Sequence, residues 1–257
     1  MIQIKNAVEL EKMRKACAIS AAALKAGGEA IEPGITTAEI DKIIYDFIVR
    51  HGARPNFLHL YGFPATACIS VNDTVIHGIP NRQQQIRPGD IVSIDTGCKI
   101  DGFNGDNACT YGCGKLDLEA QRLLDVTRES LHRGIAMALA GNRIGDVGHA
   151  VQAYVEENGF SVVRSFVGHG VGKELHEDPE VPNYGTPGRG QRLVPGMCIA
   201  IEPMVCQHKY AVKTLKDGWT VKTVDGGLAA HFEHTVAITT AGAEILTHGW
   251  EEPGWTL

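Results

Sequence analysis

Four acidic residues and one histidine lie where ionisable groups are unusual. Asp95 ends the run DIVSID, and Asp106 follows in GFNGDNACTY. His169 lies in FVGHGVG, Glu202 in IAIEPMV and Glu233 in HFEHTVAIT. An uncompensated carboxylate among Ile, Val, Ala and Phe is costly. Two such neighbours about 4 Å apart repel by about 4 kcal/mol even at an effective dielectric of 20. The strand segments are read as offering no lysine or arginine to offset this, so a pair of divalent ions is the simplest counter-charge. Hard oxygen donors plus one imidazole suit Mn²⁺, Fe²⁺, Co²⁺ or Zn²⁺. Four carboxylates and two dications sum to zero.

Taken singly, each residue has a plainer role. Asp95 could be a strand-end turn former, Asp106 a solvated loop acid and His169 a satisfied core histidine. The set carries the argument. His77 in VIHGIP and His176 in GHGVGKELHE sit in glycine-rich turns, where polar side chains are well placed to line a cleft. His51, His132 and His248 read as surface histidines.

A scaffold must gather these groups, and the sequence carries an internal repeat. TTAEIDKIIYDFIVRHG (36–52) resembles RIGDVGHAVQAYVEENG (143–159). Each predicts an amphipathic helix ending at glycine, with Ile40, Ile43, Ile44 and Phe47 on one apolar face and Val147, Ala150, Val151 and Tyr154 on the other. PGDIVSID (88–95) likewise resembles PGMCIAIE (195–202), a Pro-Gly turn leading into a buried strand that ends in a carboxylate. Both echoes share one offset, Gly52 to Gly159 and Pro88 to Pro195, 107 residues in each case. Long helices are expected over 6–28 and 118–140. The reading is an α+β chain, a single catalytic domain over 1–257 with related halves at about 5–113 and 114–247. Duplication would bring Asp95 and Glu202 together across a pseudo-two-fold axis.

Composition narrows the function classes. The 257 residues are 44% hydrophobic, ample for a packed core. The net charge is −6 and no Lys/Arg block occurs, which argues against nucleic-acid binding and against a polybasic membrane surface. No run of about 18 apolar residues predicts a membrane span, and Ala16–Leu24 is too short and wrongly flanked for a signal peptide. The seven cysteines are odd in number, irregularly spaced and without C-x-x-C, so a reducing cytoplasm is expected.

The segments HGIP (77–80), IDTGCKIDGFNGD (94–106), GHGVGKELHEDPEVPNYG (168–185), IEPM (201–204) and FEHT (232–235) together resemble the type I methionine aminopeptidases. The resemblance runs from about Ile4 to Leu246. It implies the pita-bread fold, duplicated helix-strand halves around a central curved, mainly antiparallel sheet with helices on its outer face. It implies a centre of two divalent ions (Co, Mn, Fe or Zn) held by Asp95, Asp106, His169, Glu202 and Glu233. Asp106 and Glu233 resemble the bridging pair, Asp95 the bidentate ligand of one ion, and His169 and Glu202 the remaining ligands of the other. His77 would orient the substrate, His176 would hydrogen-bond the scissile carbonyl, and Glu202 would move the proton. Phe63, Cys68, His77 and Trp219 would contact the methionine side chain. Phe57, Leu60, Tyr61 and Leu175 occupy variable pocket positions.

The implied activity is co-translational removal of methionine from nascent chains whose second residue is small. Only a short segment separates Glu202 from Glu233, which leaves no room for the helical insertion of type II enzymes. No cysteine-rich extension precedes the catalytic part, so the pattern is the bacterial type. The resemblance also suggests a monomer and a monovalent cation near Asn72, and nascent-chain substrates make ribosome contact plausible.

Three rivals remain. A proline-specific aminopeptidase or dipeptidase shares the five ligands but usually carries a large extra N-terminal domain. Asp95-Thr96-Gly97 matches the aspartic-protease triplet, yet no second copy exists for the shared proton. A binding protein that has lost catalysis would usually lack some of the ligands.

Overall fold

A computed structural model of the chain describes residues 2–250. The helices are α1 (Ala7–Glu29), α2 (Thr37–Arg50), α3 (Leu118–Ala136) and α4 (Ile144–Glu157). The strands are β1 (Arg54–Pro55), β2 (Ala67–Val71), β3 (Thr74–Ile76), β4 (Ile91–Ile100), β5 (Phe103–Gly112), β6 (Ser161–Val162), β7 (Gly168–Gly170) and β8 (Glu177–Val181). They continue as β9 (Cys198–Ile201), β10 (Met204–Cys206), β11 (Val212–Thr214), β12 (Val221–Thr223), β13 (Ala229–His231), β14 (Glu233–Ile238) and β15 (Ala243–Ile245). The expected long helix 118–140 stops at Ala136, and Met137 caps it.

Local chemistry explains the helix starts. Asn6 accepts the Glu9 amide at 3.0 Å, and the Glu9 carboxylate accepts the Asn6 amide at 3.1 Å. Thr36 and Glu39 form the same reciprocal pair before α2. Between β4 and β5 only Asp101 and Gly102 intervene, both with positive φ, as a tight two-residue hairpin requires.

The main sheet runs β1-β4-β5-β14-β9-β7-β8, with β2 also on β4 and β15 also on β14, and its pairings are antiparallel. Two three-stranded sheets, β13-β10-β6 and β11-β12-β3, flank it. One face of the main sheet is covered by helices. A Cβ at Gly105 would lie 2.6 Å from the α1 backbone at Ala16 and Cys17, so α1 sits against the face opposite Asp106. Gly134 of α3 similarly approaches Ile201 of β9. The largest apolar cluster joins both helix pairs to this face through Leu24, Ile44, Ile94, Leu131, Val151 and Ile201.

The repeat reappears as matching hydrogen bonds. Gly34 donates to Ile86 at 2.8 Å and Gly141 to Leu193 at 2.9 Å. Ile86 donates to Ile35, and Leu193 to Asn142, each at 2.8 Å. The isolated bridges Thr36↔Gln85 and Arg143↔Arg192 keep the same spacing. In the sheet, β5 meets β14 at the centre while β4 and β9 flank them, so strand order reads symmetrically from the middle outward.

Candidate active site

Strand register decides which carboxylates meet. Asp95 on β4 and Glu233 on β14 both pair with Ala108 of β5. Asp106 precedes Ala108 by two residues and shares its face. Asp95, Asp106 and Glu233 therefore project from three adjacent strands on the face away from the helices. Glu202 lies just past the end of β9, where its carbonyl accepts the Asn183 amide at 2.9 Å. His169 comes from β7, the strand beyond β9. The glycines on either side of His169 are needed for this approach. A Cβ at Gly168 would lie 2.3 Å from the Ala200 carbonyl, and one at Gly170 would lie 2.3 Å from that of Asp178.

The five residues converge. Donor atoms of Asp106, His169 and Glu233 lie within 4.8 Å of one another. His169 Nε2 is 3.6 Å from Asp106 Oδ2 and 3.6 Å from Glu202 Oε1. Its Nδ1 lies 2.9 Å from the Gly170 carbonyl, which fixes the proton there and leaves the Nε2 lone pair facing the carboxylates. Asp95 Oδ1, Asp106 Oδ1 and Glu233 Oε1 are buried with no hydrogen-bond partner.

Burial pushes all four carboxyls above the usual range, and their mutual repulsion pushes Asp106, Glu202 and Glu233 further. The same burial lowers His169 to about 4, with His176 beside it adding to the shift. Orphaned acceptor atoms, mutual repulsion and an oriented imidazole together form a donor set that fits hard divalent ions.

Lys99 corrects the expectation that the strand segments carry no basic residue, since it belongs to β4. Its ammonium donates to the Lys173 carbonyl at the hairpin end of the strand and not to the carboxylates. The ring nitrogens within 4 Å of the Glu202 and Asp106 oxygens belong instead to His169 and His231, whose imidazoles burial keeps neutral.

An apolar chamber adjoins the carboxylates. Cys68 of β2 pairs directly with Asp95, which joins the two regions across one strand interface. Phe57, Phe63, Ala65, Cys68 and Leu175 form a buried cluster, with Leu60 and Trp219 packed against it. Phe63 and Trp219 meet edge-to-face at 5.1 Å between centroids, and His77 lies 6.2 Å from Trp219. Carboxylates and chamber line one cavity of about 490 Å³. His77 holds a positive φ of 56°, and burial lowers its imidazole to about 4. His176 stands open to the cavity, edge-on to His169 at 4.5 Å, and burial of its ring lowers its pKa as well. Tyr61, 79% exposed, stacks at 6.2 Å from His176 and forms the rim.

All five expected ligands, both cleft histidines and Phe63, Cys68 and Trp219 thus meet in one cavity. His51 and His248 are exposed as expected, while His132 is half-buried beside the ring of His234. His231 was not anticipated. It is 2% exposed, with Nε2 3.7 Å from Glu202 Oε2. The signal was present in HFEH, because a residue two before Glu233 along an extended chain shares its face.

Residues 11–240 match the model of metallopeptidase family M24. The chain is 55% identical to a methionine aminopeptidase of Clostridium perfringens, over 96% of this chain and 99% of that one. It is 50% identical to methionine aminopeptidase 1 of Bacillus subtilis, over 96% and 99%. The crystal structure of methionine aminopeptidase from Thermotoga maritima superposes with a TM-score of 0.95 at 46% identity, covering 97% of this chain and all of that one. The chain belongs to metallopeptidase family M24, in its methionine aminopeptidase branch, and has the α+β pita-bread fold.

Proposed function

We propose that this chain hydrolyses the first peptide bond of polypeptides that begin with methionine, releasing the free amino acid. The observation that carries the reading is the cavity in which carboxylates with orphaned oxygens on adjacent strands adjoin an apolar chamber. The carboxylates are a catalytic floor, and the chamber is a side-chain pocket.

Asp95, Asp106, Glu233, Glu202 and His169 would hold two divalent ions drawn from Co, Mn, Fe or Zn. Such ions, when bound, supply Lewis acidity that polarises the scissile carbonyl and lowers the pKa of water. The chain's own groups do the rest. Glu202 takes a proton from the attacking water and delivers it to the departing amine. His176, neutral at physiological pH because its pKa is lowered, donates an N–H to the carbonyl oxygen as negative charge develops there. His77 orients the scissile amide. Phe63, Cys68 and Trp219 receive the methionine thioether, a flexible and polarisable chain suited to aromatic walls. The chamber closes around the side chain, so the remaining peptide leaves past the open rim at Tyr61 and His176. A second residue of small size, Gly, Ala, Ser, Cys, Thr, Pro or Val, fits that exit.

The substrates are nascent N-termini in the cytoplasm, met by a monomer. No helix among the described residues is long and apolar enough to cross a membrane. Contact with the ribosome would place the cleft near emerging chains, and the exposed Lys213 and Lys216, on the segment that also carries Trp219, offer it basic groups. Salt-dependent co-sedimentation with ribosomes tests that contact.

The deciding experiment is hydrolysis of Met-Ala-Ser before and after chelation, with Mn²⁺ or Co²⁺ restored. Loss on chelation and recovery on addition is the expected result. Efficient cleavage of Met-Leu or Met-Lys peptides would contradict the small-residue exit, and preference for X-Pro peptides would contradict the methionine pocket.

A further inference from the structure

His231 takes no part in the ligand set or the pocket, yet its backbone is fixed and its ring is buried. It ends β13 and is 2% exposed, and its Nε2 is buried without a hydrogen-bond partner. Thr110, which shares the face of Asp106 on β5, grips its backbone twice. The Thr110 hydroxyl donates to the His231 carbonyl at 2.8 Å and accepts from the His231 amide at 2.9 Å. Ser93 of β4 fixes Thr110 in turn, hydroxyl to hydroxyl at 2.8 Å. The strands that present Asp95 and Asp106 therefore also set the position of His231.

The ring points at one atom. Nε2 lies 3.7 Å from Glu202 Oε2, while the other oxygen, Oε1, lies 3.6 Å from His169 Nε2. One carboxylate is thus bracketed by two imidazoles, one per oxygen. The two rings face it with different chemistry. His169 has its proton on the far nitrogen, bonded to the Gly170 carbonyl, and offers a lone pair. With ions bound Glu202 would be ionised, and a lone pair on His231 would repel it, so in the loaded protein His231 presents Nε2–H to Oε2. A shift of under ~1 Å brings this contact to hydrogen-bond length, as catalytic contacts commonly tighten on loading.

We infer that His231 is a positioning residue, whose Nε2–H fixes the rotation of the Glu202 carboxylate so that Oε1 faces the ion site beside His169 and Oε2 keeps a free lone pair for the proton of the attacking water. This rests on the peptidase reading above. Without the donor the carboxylate can turn, and both its ligand geometry and its aim as a base are lost. The substrate pocket, built by other residues, is untouched.

The test compares His231→Leu, His231→Asn and His231→Gln in the full-length protein. Glutamine can carry an N–H to the place of Nε2, whereas leucine has none and asparagine is too short. Loss of an outer-shell partner typically costs about 10- to 100-fold. The leucine and asparagine variants should lose kcat on Met-Ala-Ser by that factor, with KM close to that of the unsubstituted protein. Their Co²⁺ absorption spectrum should shift, and Co²⁺ affinity by calorimetry should fall. The glutamine variant should recover most of kcat and the original spectrum. Unchanged kcat and spectrum in the leucine or asparagine variant would overturn the inference. So would a glutamine variant as impaired as they are. If leucine prevents folding, the glutamine–asparagine contrast decides alone. An unsubstituted protein that neither binds Co²⁺ nor cleaves would instead overturn the peptidase reading, and this inference with it.

Discussion

The two halves of the molecule solve the same structural problem in different ways. In the first, β4 and β5 are zipped through ten register pairs and closed by Asp101 and Gly102. In the second, the counterparts β9 and β14 pair through four, and the chain between them leaves the sheet at Glu202 and returns at Phe232. That excursion carries β10 to β13, with Trp219 and His231 on it. The tight hairpin gives a rigid platform for Asp95 and Asp106. The open pair gives up that rigidity but delivers an aromatic wall and a buried imidazole beside the carboxylate floor. Duplication therefore accounts for the floor, and the broken symmetry accounts for the pocket.

The sharpest way to break this comparison is to remove one floor residue from each half. Asp106→Asn and Glu233→Gln each delete a charged acceptor from neighbouring strands while keeping shape. Both should lower kcat/KM on Met-Ala-Ser by more than the ~10²-fold typical of outer-shell changes, and both should weaken Co²⁺ binding measured by calorimetry. If only one half matters, the two substitutions will differ widely, and the symmetric floor fails as a description.

Chelation should next reveal the strain that both halves share. The floor carboxyls have folded pKa values above their unfolded ones, so the folded state keeps protons that the unfolded state releases. Their contribution is fully present below the unfolded value and is lost as pH rises through the folded one. The lowered histidines His77, His169 and His231 act oppositely, but only below their ordinary range. From pH ~6.5 upward through the folded Asp95 value of about 7 only the carboxyl effect remains, worth about 1.4 kcal/mol per pH unit for each proton retained. Urea midpoints of the chelated protein should therefore fall across that window. Those of the Mn²⁺-loaded protein should stay nearly flat.

How much of this was legible depended on whether the information was local. The Pro-Gly turns and the helix ends at Gly52 and Gly159 share one spacing, and the bonds at Gly34 and Gly141 repeat it in three dimensions. Asp95, Asp106, His169, Glu202 and Glu233 stood out because charged residues in apolar runs need a reason, and the structure brings them to one cavity. The pocket was legible only through family resemblance. Its rim depends on left-handed backbone at His59 and Tyr61, and its wall on Trp219, far along the chain. No periodicity announces either. His231 was not legible as a neighbour of Glu202 because a histidine two residues before a carboxylate has no periodicity of its own, and the contact with Glu202 joins distant parts of the chain. Lys99 does not read as a strand residue because the apolar pattern fades before the hairpin, although β4 runs on through it.

The excursion itself can be probed at its aromatic wall. Trp219→Ala removes the edge-to-face partner of Phe63 while leaving every carboxylate in place. The loss should appear mainly in KM, with kcat/KM down on the order of tenfold, the scale of lost apolar contact in a substrate pocket. A dominant fall in kcat would show that the excursion acts on the floor rather than beside it.

The smallest expected effect bears on the duplication directly. Both second helices begin with a carboxylate three residues inside that accepts the cap amide, Glu39 from Thr36 at 2.8 Å and Asp146 from Arg143 at 2.7 Å. Only the first half adds a side-chain acceptor, because the Thr36 hydroxyl takes the Glu39 amide at 3.2 Å while an arginine can only donate. Thr36→Ala should therefore cost about 1 kcal/mol of stability. Arg143→Ala gives up a donor to the Gly190 carbonyl at an exposed position and should cost within about 0.5 kcal/mol. Urea unfolding of the Mn²⁺-loaded variants measures both. Equal losses would mean that the two caps work through the shared carboxylate alone, and that the repeat has kept its energetics as well as its geometry.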